Sequence, residues 1–298
     1  RRKVLVFKGG YHGGVLAFGQ GGSPVNVPHE WIVARYNDLD DVHAQVAPHR
    51  KALAATLVEP MLGAGGCIPG DPQFLHGLRT LANETGALLI FDEVMTSRLS
   101  FGGRQQLLGI RPDITTLGKY FGGGLSFGAF GGRADVMSRY DPRRPQAWQH
   151  AGTFNNNVLT MAAGLAGLKH VLTAERLDAL NRRGDTLRAK LNALFERQGV
   201  PLQLTGMGSL MQLHPLAGNL RSADDLAATD DRVKALMFFE LLSRSVYMAR
   251  RGFMALSLPF GDAECMRLEH AMTESVNARR AIWPQSAPAP ALEKSANA

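Results

Sequence analysis

The chain has 298 residues, of which 45% are hydrophobic, 20% charged and 7% aromatic, a globular mixture that excludes a disordered or collagen-like polypeptide. The 33 basic and 26 acidic residues leave a net charge of +7. The basic residues are scattered, however, and their densest group, Arg133, Arg139, Arg143 and Arg144, lacks the interleaved aromatics of a single-strand nucleic-acid binder. Solubility and attraction for small anions account for the charge, and no nucleic-acid partner is expected. Cys67 and Cys265 form no C-x-x-C motif or disulfide framework, which suits a reducing compartment. No apolar run approaches the roughly 20 residues of a membrane span, and the opening RRKVLVFKGG is too short in apolar residues for a signal peptide. A soluble, cytoplasmic protein without a membrane partner is expected. The chain starts at Arg1 on a strand-like run, which points to a missing N-terminal part.

The first half alternates apolar runs with helical patterns, as βαβ units do. Lys3 to Phe7 predicts a strand, ended by Gly9, Gly10, Gly13 and Gly14; Asp38 to Arg50 predicts a short helix; and Leu53 to Val58 predicts a strand running into Glu59-Pro60 and the loop GAGGCIPG. Asp71 is placed to cap a helix with Pro72 at N1, Phe74, Leu75, Leu78, Leu81 and Ala82 at helical spacing, and Gly86 as its stop. Ala87 to Phe91 is continuously apolar, as a parallel strand covered on both faces is, and delivers Asp92 and Glu93 at its carboxyl end. Ligands of open α/β sheets bind there.

Later segments predict an apolar helix over Val158 to Leu172 and an amphipathic one over Ala174 to Gln198, with Leu177, Leu180, Leu187, Leu191 and Leu194 on its apolar face. Strands follow near Leu202 to Leu204, Leu210 to Leu213 and Met254 to Leu258, with a helix from about Asp231 to Ser243. The organisation is an α/β fold: a large domain over residues 1–170, with a mostly parallel sheet and helices on both faces, a small α+β domain over 171–284, and a disordered polar tail over 285–298.

No stretch completes G-x-x-x-x-G-K-[ST] or G-x-G-x-x-G, which argues against a P-loop NTPase or an ordinary Rossmann dehydrogenase. His29-Glu30 begins an H-E-x-x-H pattern, but its fifth position is Val33, and no histidine group has zinc spacing, so no metal site is expected. Lys119, in TTLGKYFGGGLSFGAFGG, is hemmed in by small and apolar residues. Desolvation there would disfavour its ammonium form and leave a nucleophilic amine, unless it is an ordinary lysine on a glycine-rich turn. Asp92 is either a carboxylate partner for a heterocyclic cation or a capping or metal-linked carboxylate. A strand-end aspartate followed after a loop by a glycine-flanked lysine is an uncommon pairing.

Five blocks share one order with a known family: YHG at 11–13, VEPMLGAGGCIPG at 58–70, LLIFDEVMTSR at 88–98, RPDITTLGKYFGGGLSFGAFGGR at 111–133 and HAGTFNNN at 150–157. They resemble the class III, fold-type I pyridoxal-phosphate-dependent aminotransferases from about Lys3 to Arg280. The resemblance implies the large domain of that fold, with a seven-stranded type of sheet here short of its N-terminal part, and pyridoxal 5′-phosphate as cofactor. It makes Lys119 the Schiff-base lysine and proton shuttle, Asp92 the partner of the pyridinium nitrogen, and Val94 the apolar residue beneath the ring. Tyr11 would stack on the opposite face beside His12, a further cofactor-site residue, and Glu59 would lie near the ring hydroxyl. Thr153 would reach the phosphate of a neighbouring subunit, which makes the protein a homodimer with shared active sites. The loop that cradles the phosphate in the family precedes the strand that opens this chain.

TSRLSFGG, GTFNNN and RGFMALSLP look most like the β-amino-acid (β-phenylalanine) aminotransferases, in which an arginine of the RGF segment binds the acceptor carboxylate. Arg251 takes that role here, with Arg250 as fallback. The implied reaction moves an amino group from a β-amino acid or similar amine to a keto acid such as 2-oxoglutarate or pyruvate. The alternative is the glutamate-1-semialdehyde 2,1-aminomutase branch, from which the chain departs with Ala64 in place of an asparagine and Arg250-Arg251 in place of a glutamate. A catalytically silent, dimer-forming fragment is a third reading.

Overall fold

A computed structural model describes residues 1–19 and 22–283; the tail expected to be disordered lies outside the described residues. In chain order the elements are β1 (Lys3–Phe7), β2 (Glu30–Ala34), α1 (Leu39–Val46), β3 (Leu53–Val58), β4 (Met61–Leu62), β5 (Ile68–Pro69), α2 (Pro72–Thr85) and β6 (Leu88–Asp92), then α3 (Gly103–Leu108), β7 (Ile114–Gly118), β8 (Gly128–Gly132), α4 (Ala134–Met137), α5 (Val158–Ala166) and α6 (Ala174–Arg197). The last part holds β9 (Gln203–Met207), β10 (Leu210–His214), α7 (Asp231–Ser243), β11 (Phe253–Ala255) and α8 (Asp262–Ala278).

Six strands form one sheet in the order β2-β1-β3-β6-β7-β8. All neighbours pair in parallel except β7 and β8. The central strands β3 and β6 are largely apolar because helices cover the sheet, and Leu5, Phe7, Leu53, Val58, Leu89 and Phe91 are buried with Leu75 and Leu78 of α2. A second sheet, β11-β10-β9, is antiparallel and packs with α6, α7 and α8 around Leu187, Leu191, Phe195, Met211, Leu241 and Met272. No helix among the described residues is long and apolar enough to cross a membrane.

Several local expectations shift. The helix predicted over Asp38 to Arg50 is α-helical only to Val46, after which Pro48, without an amide hydrogen, leads a 3-10 turn. Asp71 occupies the cap position of α2 but makes no capping bond; its carboxylate reaches Arg221 at 2.6 Å. The apolar helix predicted to Leu172 changes to a π turn at Gly167, where the missing side chain lowers helix propensity. Strand β11 starts one residue earlier and ends three earlier than predicted. Strands β2, β7 and β8 were not predicted, nor was helix α8, whose start is marked by Glu264 accepting from the Gly261 amide at 2.8 Å.

Candidate functional site

Because β3, β6 and β7 are parallel neighbours, their carboxyl ends lie along one edge of the sheet. Glu59 follows the end of β3, Asp92 ends β6, and Lys119 follows the end of β7. Tyr11 and His12 reach the same edge on the loop after β1, where Tyr11 bridges Ala17. Residues separated by more than a hundred positions thereby share one site.

Asp92 is 8% exposed and every oxygen has a donor. Its Oδ2 lies 2.7 Å from His12 Nδ1, while Oδ1 accepts from the Val94 amide at 3.0 Å and the Thr116 hydroxyl at 3.1 Å. Burial would raise the carboxyl's pKa, but His12, the amide and the hydroxyl together outweigh it and hold the pKa below its ordinary value. Asp92 is an anion inside the protein.

Glu59 accepts from the Tyr11 amide at 2.9 Å on Oε1 and from the Gly63 amide at 2.9 Å on Oε2. Burial dominates here and pushes its pKa up to about 7, opposed by His12 and the two amides and reinforced by Asp92. Two carboxylates near one histidine thus take opposite shifts, because His12 bonds only Asp92 directly.

Lys119 sits at φ +55°, a left-handed conformation that costs a non-glycine residue about 1 kcal/mol and persists only where packing imposes it. The packing is visible: a Cβ at Gly118 would stand 3.3 Å from both Val94 Cγ1 and the Phe127 carbonyl. One side of Lys119 is open to solvent, yet burial of the rest lowers its pKa, with Asp92 and Glu59 raising it and Arg251 lowering it further. The lysine therefore faces two carboxylates and one guanidinium.

The structure brings Tyr11, His12, Glu59, Asp92, Val94 and Lys119 together, with Arg251 in electrostatic reach. Tyr11 is 49% exposed, not a core residue. Arg251 is exposed, with its guanidinium 5.0 Å above the Phe253 ring. It is turned there by Gly252 at φ +87°, where a Cβ would meet the Leu213 carbonyl at 2.6 Å. Thr153 is exposed on the turn before α5 and shares no hydrogen bond with the cluster among the described residues. Sequence reasoning missed Thr116, Gly63 and Phe253. Thr116 becomes a neighbour of Asp92 only through the β6–β7 register, which no local pattern announces.

The family profile of the class III aminotransferases (Aminotransferase class-III) matches residues 1–216, and the chain belongs to that family. It is 55% identical over 287 residues to the β-phenylalanine transaminase of Variovorax paradoxus, covering 96% of this chain and 66% of that one. It is 35% identical over 268 residues to the glutamate-1-semialdehyde 2,1-aminomutase of Limosilactobacillus reuteri, covering 85% and 62%. The solved β-phenylalanine aminotransferase of Variovorax paradoxus superposes with a TM-score of 0.94 at 54% identity, over 96% of this chain and 66% of that one. The chain thus spans a little under two thirds of the length of these curated relatives, and its α/β fold is that of the fold-type I enzymes.

Proposed function

We propose that the chain carries the catalytic residues of a pyridoxal-phosphate-dependent transaminase that moves an amino group from a β-amino acid or similar amine to a keto acid such as 2-oxoglutarate. The observation that carries this is the buried Asp92 anion, held by three donors at a strand end and facing an amine whose pKa is lowered. The residues fit the cofactor by their chemistry: an anion for a ring nitrogen, the Val94 methyls for an apolar ring face, the Tyr11 ring for the other, and a lysine for the aldehyde. When bound, pyridoxal 5′-phosphate supplies a ring that accepts the electron pair freed at the substrate carbon.

The chain's own groups do the rest. The Lys119 amine would hold the cofactor, and in its neutral form it would take the proton from the substrate carbon. Asp92 would favour a protonated ring nitrogen by presenting a fixed negative charge. His12 and Thr116 hold that carboxylate in place, Val94 and Tyr11 would offer apolar faces to the ring, and Glu59 would serve its hydroxyl. Arg251 offers a forked guanidinium to the acceptor carboxylate.

In this reading residues 1–170 hold the cofactor and residues 171–284 form the smaller unit, which the two separate cores support. Exposed Val158, Leu159, Met161 and Leu165 on α5 support a homodimer that carries Thr153 toward its neighbour's phosphate site. The 55% identity to a β-phenylalanine transaminase supports the donor class. An aminomutase would turn over without any added keto acid, whereas a transaminase needs one. The direct test is to treat the chain with pyridoxal phosphate, reduce with borohydride and map the label by peptide mass spectrometry: label on Lys119 is expected, and its absence from folded protein would leave a silent fragment.

A further inference from the structure

We propose that Thr205 on β9 and His214 on β10 are positioning residues for Glu59, acting from the second sheet by fixing the glycine loop that holds its carboxylate. The inference rests on the reading of Glu59 as a site group facing Lys119. The Thr205 hydroxyl donates to the Gly66 carbonyl at 2.6 Å, and His214 Nε2 lies 2.9 Å from the same oxygen. A carbonyl only accepts, so Nε2 carries a hydrogen; the two side chains are themselves 3.0 Å apart. One backbone oxygen of the first sheet's loop is therefore gripped by two side chains of the second sheet.

That loop has no side chains with which to anchor itself. A Cβ at Gly65 would stand 2.6 Å from the Gly9 carbonyl, one at Gly66 would stand 2.5 Å from Leu226 Cδ1, and one at Gly63 would strike the Met95 sulfur. Ala64 points to solvent. Backbone leaves no room for a side chain at Gly65, and Gly66 at φ +116° holds a conformation that disfavours one; a glycine segment is the most mobile of chains unless its backbone is held. Here the holds are the Cys67 amide on the Gly63 carbonyl at 3.2 Å, the Gly63 amide on Glu59 at 2.9 Å, and the pair of donors on Gly66. Release at Gly66 frees the Gly63 amide, three residues away, to move off Glu59.

The electrostatic consequence has a definite sign. The Gly63 amide favours the carboxylate form of Glu59, and that carboxylate favours the ammonium form of Lys119. Loosening the loop lets Glu59 keep its proton to higher pH and lets its carboxylate leave its fixed place, which weakens the negative charge beside Lys119 and lowers the pH at which Lys119 loses its proton. His214 is fully buried with an unpartnered Nδ1, so burial also keeps the ring neutral, its pKa pushed down to about 4. The grip on Gly66 is then unchanged across the neutral range.

The test needs only the chain itself. Competitive acetylation with acetic anhydride across pH, read at the Lys119 peptide by mass spectrometry, gives the midpoint of that amine. The groups acting on it, Asp92, Glu59 and Arg251, and those acting on Glu59, His12 and Asp92, are unchanged in the Thr205 variants. Thr205→Val keeps the shape and removes the hydroxyl, and should lower the midpoint by about 0.3 to 1 pH unit, part of the way to the value of Glu59→Gln. Thr205→Ser, which keeps the hydroxyl, should match the parent, and His214→Phe, which removes the other donor, should shift with Thr205→Val. Hydrogen exchange in the peptide over residues 59–67 should quicken in the same two variants. A Thr205→Val midpoint equal to the parent's, beside a shifted Glu59→Gln, overturns the proposal while leaving Glu59 in the site. An unshifted Glu59→Gln removes Glu59 from the site, and the proposal with it.

Discussion

His12 Nδ1 lies 2.7 Å from Asp92 Oδ2, and both side chains are at least nine-tenths buried. The pair ties the loop after β1 to the end of β6 across the sheet. An isolated buried carboxylate would take up a proton; here the imidazole, the Val94 amide and the Thr116 hydroxyl keep it charged.

His12→Phe should therefore cost stability as well as function. Asp92 has its pKa depressed in the folded state, so its contribution is present above its unfolded value near 3.8 and is lost as pH falls through the folded value. Without His12 the carboxylate keeps two weaker donors, and a loss on the order of 1–3 kcal/mol at pH 7 is expected by urea denaturation. Asp92→Asn removes the charge and with it that contribution, so stability at pH 7 should fall by a similar amount, and in the proposed reaction turnover should drop on the order of a hundredfold or more.

Glu59 predicts the opposite pH trend. Its folded pKa of about 7 lies above the ordinary 4.5, so between those values the folded state holds a proton that the unfolded chain releases. Its contribution to stability is full below about pH 4.5 and fades as pH rises through 7. Glu59→Gln, neutral at every pH, should flatten that slope and gain up to a few kcal/mol at pH 8 relative to the parent. Equal slopes in denaturation series at pH 5, 6, 7 and 8 would contradict the assignment.

For Arg251, the charge and its fork should be separable. Arg251→Lys keeps a cation but loses bidentate geometry and the stack on Phe253, so KM for a dicarboxylate acceptor should rise about tenfold with kcat held. Arg251→Ala should raise it further, by about a hundredfold. Amine donors without a second carboxylate should be affected little. A kcat loss at unchanged KM would place Arg251 elsewhere in the reaction.

Gly164 is a packing prediction independent of chemistry. A Cβ there would strike the Phe121 carbonyl, in the turn that follows Lys119. Gly164→Ala normally favours a helix, by roughly 1 kcal/mol, but here it should lower stability by about 1–3 kcal/mol through overpacking. Thermal melts decide the sign.

The sequence by itself determined much of this protein. Apolar runs and their glycine stops located β1, β3, β6 and α2 within a residue or two, and the period of α6 was plain, because these segments are covered on a fixed face and the pattern of burial is written in the residues. It also singled out Lys119 and Asp92, whose chemistry shows in their immediate neighbours. The glycine-rich strand β8 and the short β2 were not legible, since their pairing energy comes from neighbours distant in the chain. Register alone set Thr116 against Asp92, and loop folding alone set His12 on the same carboxylate. Only the tertiary structure decided that Asp71 would pair with Arg221 instead of capping its helix, and that Thr205 and His214 would grip Gly66. Each of these depends on the distance between groups far apart in sequence, and a chain carries no record of that distance until it has folded.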